Sequence, residues 1–140
     1  MKNYKITIIT VTKNSEKFIE QNIKSVLNQS YKNYEHIIID GKSSDKTLDI
    51  IKKNKKKIAY YESRKDKGIY DAMNKGINIA TGDIIGFLNS DDFYASDDVL
   101  MKVSNLFKKN PSLEACYADL IYVKQKNVSK NVRYWKSSKF

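Results

Sequence analysis

Two adjacent carboxylates, Asp91 and Asp92, carry the first chemistry that this sequence offers. They follow Gly82-Asp83-Ile84-Ile85-Gly86-Phe87-Leu88-Asn89-Ser90, a turn residue and then a short apolar run. Such a run, bounded by turn signals, reads as a buried strand at the centre of a parallel sheet. In open α/β sheets ligands bind beyond the carboxyl ends of the strands, which puts both acids at the mouth of a crevice. Two hard oxygen donors without Cys or His suit Mg²⁺ or Mn²⁺ that also grips a phosphate. The plainer reading of the same pair is a solvated turn, where Asp is common. Two further polar loops, Thr12-Lys13-Asn14 and Asp40-Gly41, close apolar runs in the same way.

The elements that must position these loops alternate regularly. Tyr4 to Val11 is β-branched and apolar, a first strand. Ser15 is placed to cap a helix in which Phe18, Ile19, Ile23, Val26 and Leu27 recur at helical spacing. Tyr34 to Ile39 reads as a second buried strand, inside which the only histidine, His36, packs rather than catalyses. A short helix from Asp45 to Lys53 and a strand from Ile58 to Tyr61 follow, then a charged loop from Glu62 to Gly68. Ile69, Met73, Ile77 and Ala80 mark the core stripe of the next helix. Beyond the acid pair, Ser96 is expected to cap a helix whose dipole Asp97 and Asp98 favour. Leu100, Val103, Leu106 and Phe107 bury that helix, and Asn110-Pro111 ends it. Leu113 to Val123 suggests a last strand, with a polar tail after it. The expected fold is α/β, a mostly parallel sheet sandwiched by helices.

Composition narrows the function classes. The 140 residues make one domain, and 41% hydrophobic with 30% charged residues is the balance of a globular, not a disordered, chain. No apolar run approaches the ~20 residues of a membrane span. Met1-Lys2-Asn3-Tyr4-Lys5 leads into a strand rather than a signal peptide, so a cytoplasmic location is expected. The single Cys116, in apolar surroundings, is read as a buried inert thiol. A net charge of +10 implies attraction to anions such as nucleotides, anionic head groups or nucleic acid. The densest basic run, Lys52-Lys53-Asn54-Lys55-Lys56-Lys57, joins a helix to a strand and reads as a solvated connection. Aromatics lie mostly in strands rather than along a basic stripe, so no nucleic-acid partner is expected. No Gly-x-Gly-x-x-Gly or Walker sequence is present, which weakens dinucleotide and ordinary ATPase readings.

Several ordered motifs add a resemblance. They are Ile8-Ile9-Thr10-Val11-Thr12-Lys13-Asn14, Ser25-Val26-Leu27-Asn28-Gln29-Ser30-Tyr31, Ile38-Ile39-Asp40-Gly41-Lys42-Ser43-Ser44-Asp45-Lys46-Thr47, Asp66-Lys67-Gly68-Ile69-Tyr70-Asp71-Ala72-Met73-Asn74-Lys75-Gly76, and the strand that ends in the acid pair. In these the sequence resembles the family 2 glycosyltransferases with the GT-A (Rossmann-like) fold, over roughly residues 4–123. The resemblance implies a nucleotide-sugar donor, usually uridine diphosphate-linked, bound with Mn²⁺ or Mg²⁺. It also implies inverting transfer to a saccharide or lipid-linked acceptor of cell-surface polymers, with peripheral association at the inner face of a membrane.

By the same likeness, the loop around Val11 and Lys13 lies along the nucleobase and Asp40 faces the uracil edge. Asp91 and Asp92 match the Asp-x-Asp-type motif, contacting ribose and metal-diphosphate. Gly68 permits close backbone approach, and Asp71 or Asn74 helps order the donor sugar or the metal loop. The plainer reading makes Asp71 a helix-dipole partner and Asn74 a solvent residue. Arg64 and Lys67 are either diphosphate contacts or solvated arms. Three departures stand out. Lys13 replaces a common Tyr, Asn89 replaces the first Asp of many members, and the usual catalytic base and acceptor half have no counterpart, so no base is named. The expected organisation is a nucleotide-sugar-binding domain over 1–123, with 124–140 as the start of an acceptor-binding region. The rival class is a non-catalytic basic α/β module for nucleotides, nucleic acid or an anionic surface.

Overall fold

The computed structural model describes residues 3–137. Phe140, the last large apolar residue, lies outside them. Strand β1 (Ile6–Thr12) leads through helix α1 (Ile19–Leu27) to β2 (Tyr34–Asp40), then α2 (Thr47–Lys53), a 3₁₀ turn at Lys55–Lys57 and β3 (Tyr60–Ser63). Helix α3 (Ile69–Ile79), β4 (Ile84–Phe87) and α4 (Val99–Lys109) complete the first unit. A hairpin of β5 (Leu120–Lys124) and β6 (Asn127–Trp135) follows. The first four strands form one parallel sheet in the order β3-β2-β1-β4, and the hairpin is a separate antiparallel pair.

The alternation of side chains along β1 explains the layers. Ile6 and Ile8 face Val26 of α1 and Leu100 of α4, while Ile38 of β2 on the same side meets Ile19 and Ile23 of α1 and Ile51 of α2. Ile9 and Val11 face the other way, with Ile37, Ile39 and Ala72 of α3. Three helices thus cover one face and α3 the other, so β1 is buried along its whole length. A parallel strand with both faces covered reads as the continuous apolar run seen here.

Several expectations change, and Leu106, expected to help bury α4, is exposed. β4 is an edge strand, not the centre of the sheet, and Ile85 and Phe87 stay exposed because α3 packs over β1 and β2 instead. The buried face of α3 carries Ala72 and Gly76, with Met73, Ile79 and Ala80 packed beside them, whereas Ile69 and Ile77 are exposed. Gly76 causes that shift, since a Cβ there would sit 2.5 Å from Ile9 Cγ2 and only a bare backbone lets the helix approach. The strand expected over Leu113 to Val123 begins only at Leu120, and its partner β6 occupies the supposed tail, so position 123 falls inside a paired hairpin. Cys116 precedes that hairpin and is exposed. Among the described residues no helix is long and apolar enough to cross a membrane.

Candidate functional site

Parallel strands deliver their following loops to one edge of the sheet. Four loops therefore meet beyond Thr12, Asp40, Ser63 and Phe87, and polar side chains lock them together. Asn14, in the left-handed region at φ 52° as Asn tolerates, accepts the Ser44 N–H on Oδ1 at 2.9 Å. Its own N–H donates to Ser43 Oγ at 2.8 Å. Ser15 donates its N–H to Thr47 Oγ1 at 2.8 Å, and its hydroxyl lies 2.8 Å from Ser90 Oγ. Ser15 was expected to cap α1 through its side chain. Phe18 holds the cap position instead, and the Ser15 hydroxyl ties the first loop to the acid turn. Ser96 likewise makes no side-chain cap on α4 and donates to Asp98 Oδ1 at 2.6 Å.

Asp40 is 0% exposed. Its carboxylate accepts the Ser43 N–H at 3.0 Å, the Ser43 hydroxyl, and the Ser63 hydroxyl at 2.5 Å. A carboxylate open to a base edge was expected. Here its acceptor capacity is turned inward, joining the loop after β2 to the end of β3. Gly41 completes this joint, because a Cβ there would lie 2.5 Å from Asp66 Oδ2. Asp66 in turn accepts the Gly68 N–H at 3.0 Å. Gly68 has φ 118°, a conformation that favours glycine, and opens α3.

The remaining expected residues separate. The Val11 side chain packs in the core against α3 and so is not available to a base, whereas Lys13 is exposed at the crevice. Asp71 accepts the Lys67 N–H at 3.0 Å and pairs with Lys75 at 2.9 Å, which holds its carboxyl below the usual range. That is the helix-terminus role. Asn74 is exposed on the next turn. Arg64 pairs with Glu62 at 3.1 Å rather than standing free over the crevice.

Asp91 and Asp92 are exposed at the mouth. Partial burial of its carboxyl and the neighbouring Asp91 charge raise the Asp92 pKa, against a hydrogen bond from the Asn89 side chain. A divalent cation relieves such crowding, so the pair fits a hard metal that completes its shell from diphosphate and water. Among the described residues no group of three or more His, Cys, Asp or Glu could hold a metal by itself. Asp119 accepts from Tyr134 and Ser137 within the hairpin region. Sequence reasoning gave no role to Asp66, the Ser15–Ser90 tie, or Asn22. Asp66 stood in a quoted motif, and Asn22 carried a signal as a polar residue on the apolar face of α1.

A parallel sheet with helices on both faces, and an acid-bearing loop at its carboxyl edge, is a doubly wound α/β arrangement whose ligand crevice lies at that edge. Residues 7–139 match the model of the family described as "Glycosyl transferase family 2". The chain belongs to that family. It is 34% identical over 113 residues to the Escherichia coli UDP-Glc:alpha-D-GlcNAc-diphosphoundecaprenol beta-1,3-glucosyltransferase WfgD, covering 80% of this chain and 45% of that protein. Among solved structures, Staphylococcus aureus TarS 1–349 in complex with UDP-GlcNAc superposes with a TM-score of 0.70 at 25% identity, over 76% of this chain and 32% of that one. The Pyrobaculum calidifontis mannosyltransferase PcManGT, solved with GDP-Man and Mn²⁺, shares the fold with a TM-score of 0.75 at 21% identity, over 84% and 36%. The chain spans less than half the length of the curated relatives it matches.

Proposed function

We propose that this chain binds a nucleoside diphosphate-sugar, uridine diphosphate being the preferred carrier, and orients it for sugar transfer. The observation that carries the reading is the Asp91–Asp92 pair, presented on a braced turn where four parallel-strand loops converge. Asp91 and Asp92 would hold Mg²⁺ or Mn²⁺, which when bound neutralises charge on a departing diphosphate. Lys13 and Lys67 add positive charge near the phosphates. Asp40 shapes the base pocket by holding the loop after β2 against β3, and Asp66 with Gly68 orders the loop that enters α3. The names of WfgD and of the TarS complex support a uridine diphosphate donor, and WfgD's also supports a lipid-linked acceptor. Inversion, a saccharide or lipid-linked acceptor and work at a membrane surface belong to the same proposal.

Transfer also requires a general base within reach of the acceptor hydroxyl and a surface that holds the acceptor in line. We assign neither to residues of this chain, and so expect donor binding and slow donor hydrolysis rather than efficient transfer. Calorimetry with uridine and guanosine diphosphates, with and without Mn²⁺, tests the binding. Uridine diphosphate should bind more tightly with the metal, and Asp92→Ala should remove that increment while leaving the fold intact. An unchanged Mn²⁺ increment in Asp92→Ala removes Asp92 from the site.

A further inference from the structure

We propose that Asn22, seated on Thr10 and His36, is a positioning residue that sets the acid turn Asn89–Asp92 for metal-diphosphate binding; the proposal rests on the donor reading above. Asn22, Thr10 and His36 form one connected polar group between the sheet and α1, and all three are almost fully buried. Asn22 Nδ2 donates to the carbonyls of Asn89 at 2.9 Å and Asp92 at 3.0 Å. These are the two ends of one four-residue turn, which Asp92 N–H also closes onto Asn89 O at 2.9 Å. A single amide group therefore grips both ends of the segment that presents the carboxylates.

The directions of the remaining bonds follow from that grip. With Nδ2 committed to two carbonyls, Asn22 Oδ1 must accept, and the Thr10 hydroxyl donates to it at 3.2 Å. Thr10 Oγ1 then accepts from His36 Nε2, 2.9 Å away. Burial pushes the His36 ring down to about 3, so it stays neutral and the order of donors is preserved. The arrangement answers a weakness of the fold. β4 has only four residues and one sheet neighbour, so its following turn lacks support on the far side. Asn22 and the Ser15–Ser90 contact supply it from α1 and the first loop.

The test compares Asn22→Leu, Thr10→Val and Thr10→Ser with the unaltered chain. Three readouts are taken: uridine diphosphate affinity with Mn²⁺, the same affinity in EDTA, and hydrogen exchange of the Asp92 amide followed by NMR. Asn22→Leu should weaken the Mn²⁺-dependent affinity about tenfold, as expected when two hydrogen bonds to the turn are lost, while affinity in EDTA changes less than about twofold. Exchange at Asp92 should accelerate by a similar factor. Thr10→Val, which leaves the grip but frees the Asn22 amide to turn, should lose about threefold, and Thr10→Ser should restore the original behaviour. If Asn22→Leu does not fold, the Thr10→Val and Thr10→Ser pair decides. Unaltered metal-dependent affinity and Asp92 exchange in Thr10→Val and Asn22→Leu overturn the proposal. So do equal losses with and without metal, which mean general destabilisation. Should the unaltered chain show no Mn²⁺ dependence, the donor-metal reading fails, and Asp92 exchange alone decides whether Asn22 sets the turn.

Discussion

Strands β1 and β6 are both rich in residues that favour extended structure, yet every residue of β1 is buried and every residue of β6 is exposed. β1 has a paired neighbour on each side and helices over each face, whereas β6 pairs only with β5. Val132, Tyr134 and Trp135 accordingly stand in solvent, Trp135 beneath Arg133 at 4.9 Å. A two-stranded hairpin by itself is marginal in water, because one ladder buries little apolar surface. The contrast teaches that strand propensity makes strands, while a covering layer makes a core. The candidate site sits on the covered part, where its loops are anchored.

Substitutions in the two regions should differ most sharply in the core. Ile38, 0% exposed between α1 and α2, should cost about 2–5 kcal/mol on replacement by Ala, read from urea unfolding. A loss no larger than that of a hairpin substitution would break the comparison. Gly76→Val should cost about 1–3 kcal/mol by forcing α3 off Ile9, and the same unfolding curves measure it.

The pH response sharpens the contrast, because two strongly shifted acid-range groups, Glu35 and His36, lie in β2. Glu35 is held down to about 2: burial opposes ionisation, but bonds from Lys5, Thr7 and Thr81 outweigh it. A depressed carboxylate contributes stability above its unfolded value of 4.5 and loses it as pH falls towards 2. The stability gap between the native chain and Glu35→Gln should therefore be full at neutral pH and close over that window. His36 acts in the same direction from a higher start. Its ring, protonated below 6.5 when unfolded but only near 3 when folded, lowers stability by up to about 1.4 kcal/mol per pH unit in between. His36→Gln should flatten that slope in denaturation curves taken between pH 6.5 and 4.5. Smallest of all, Val132→Ser, at a side chain 62% exposed, should stay within about 0.5 kcal/mol. A larger loss would show that the hairpin is covered in solution.

Much of this molecule follows from local pattern. The runs at Ile6–Thr12 and Tyr34–Asp40, the helical spacing in α1, and an acid pair closing an apolar run depend on neighbours within a few residues, and so they were legible in the sequence. The family resemblance drew on the same runs. Tertiary structure decided what those patterns were for. That β4 is an edge depends on where α3 lands, and α3 lands where Gly76 meets Ile9. That Asp40 is spent inside depends on Ser63, 23 residues away. Asn22 reaches carbonyls 67 and 70 residues further along, and Ser15 meets Ser90 across 75. Such partners leave no periodic trace, because a hydrogen bond between distant loops constrains two side chains and not the spacing around either. The sequence by itself determined the alternating elements of the parallel sheet and the acids at their ends, and only packing decided which face was covered and which polar groups were left to hold the site.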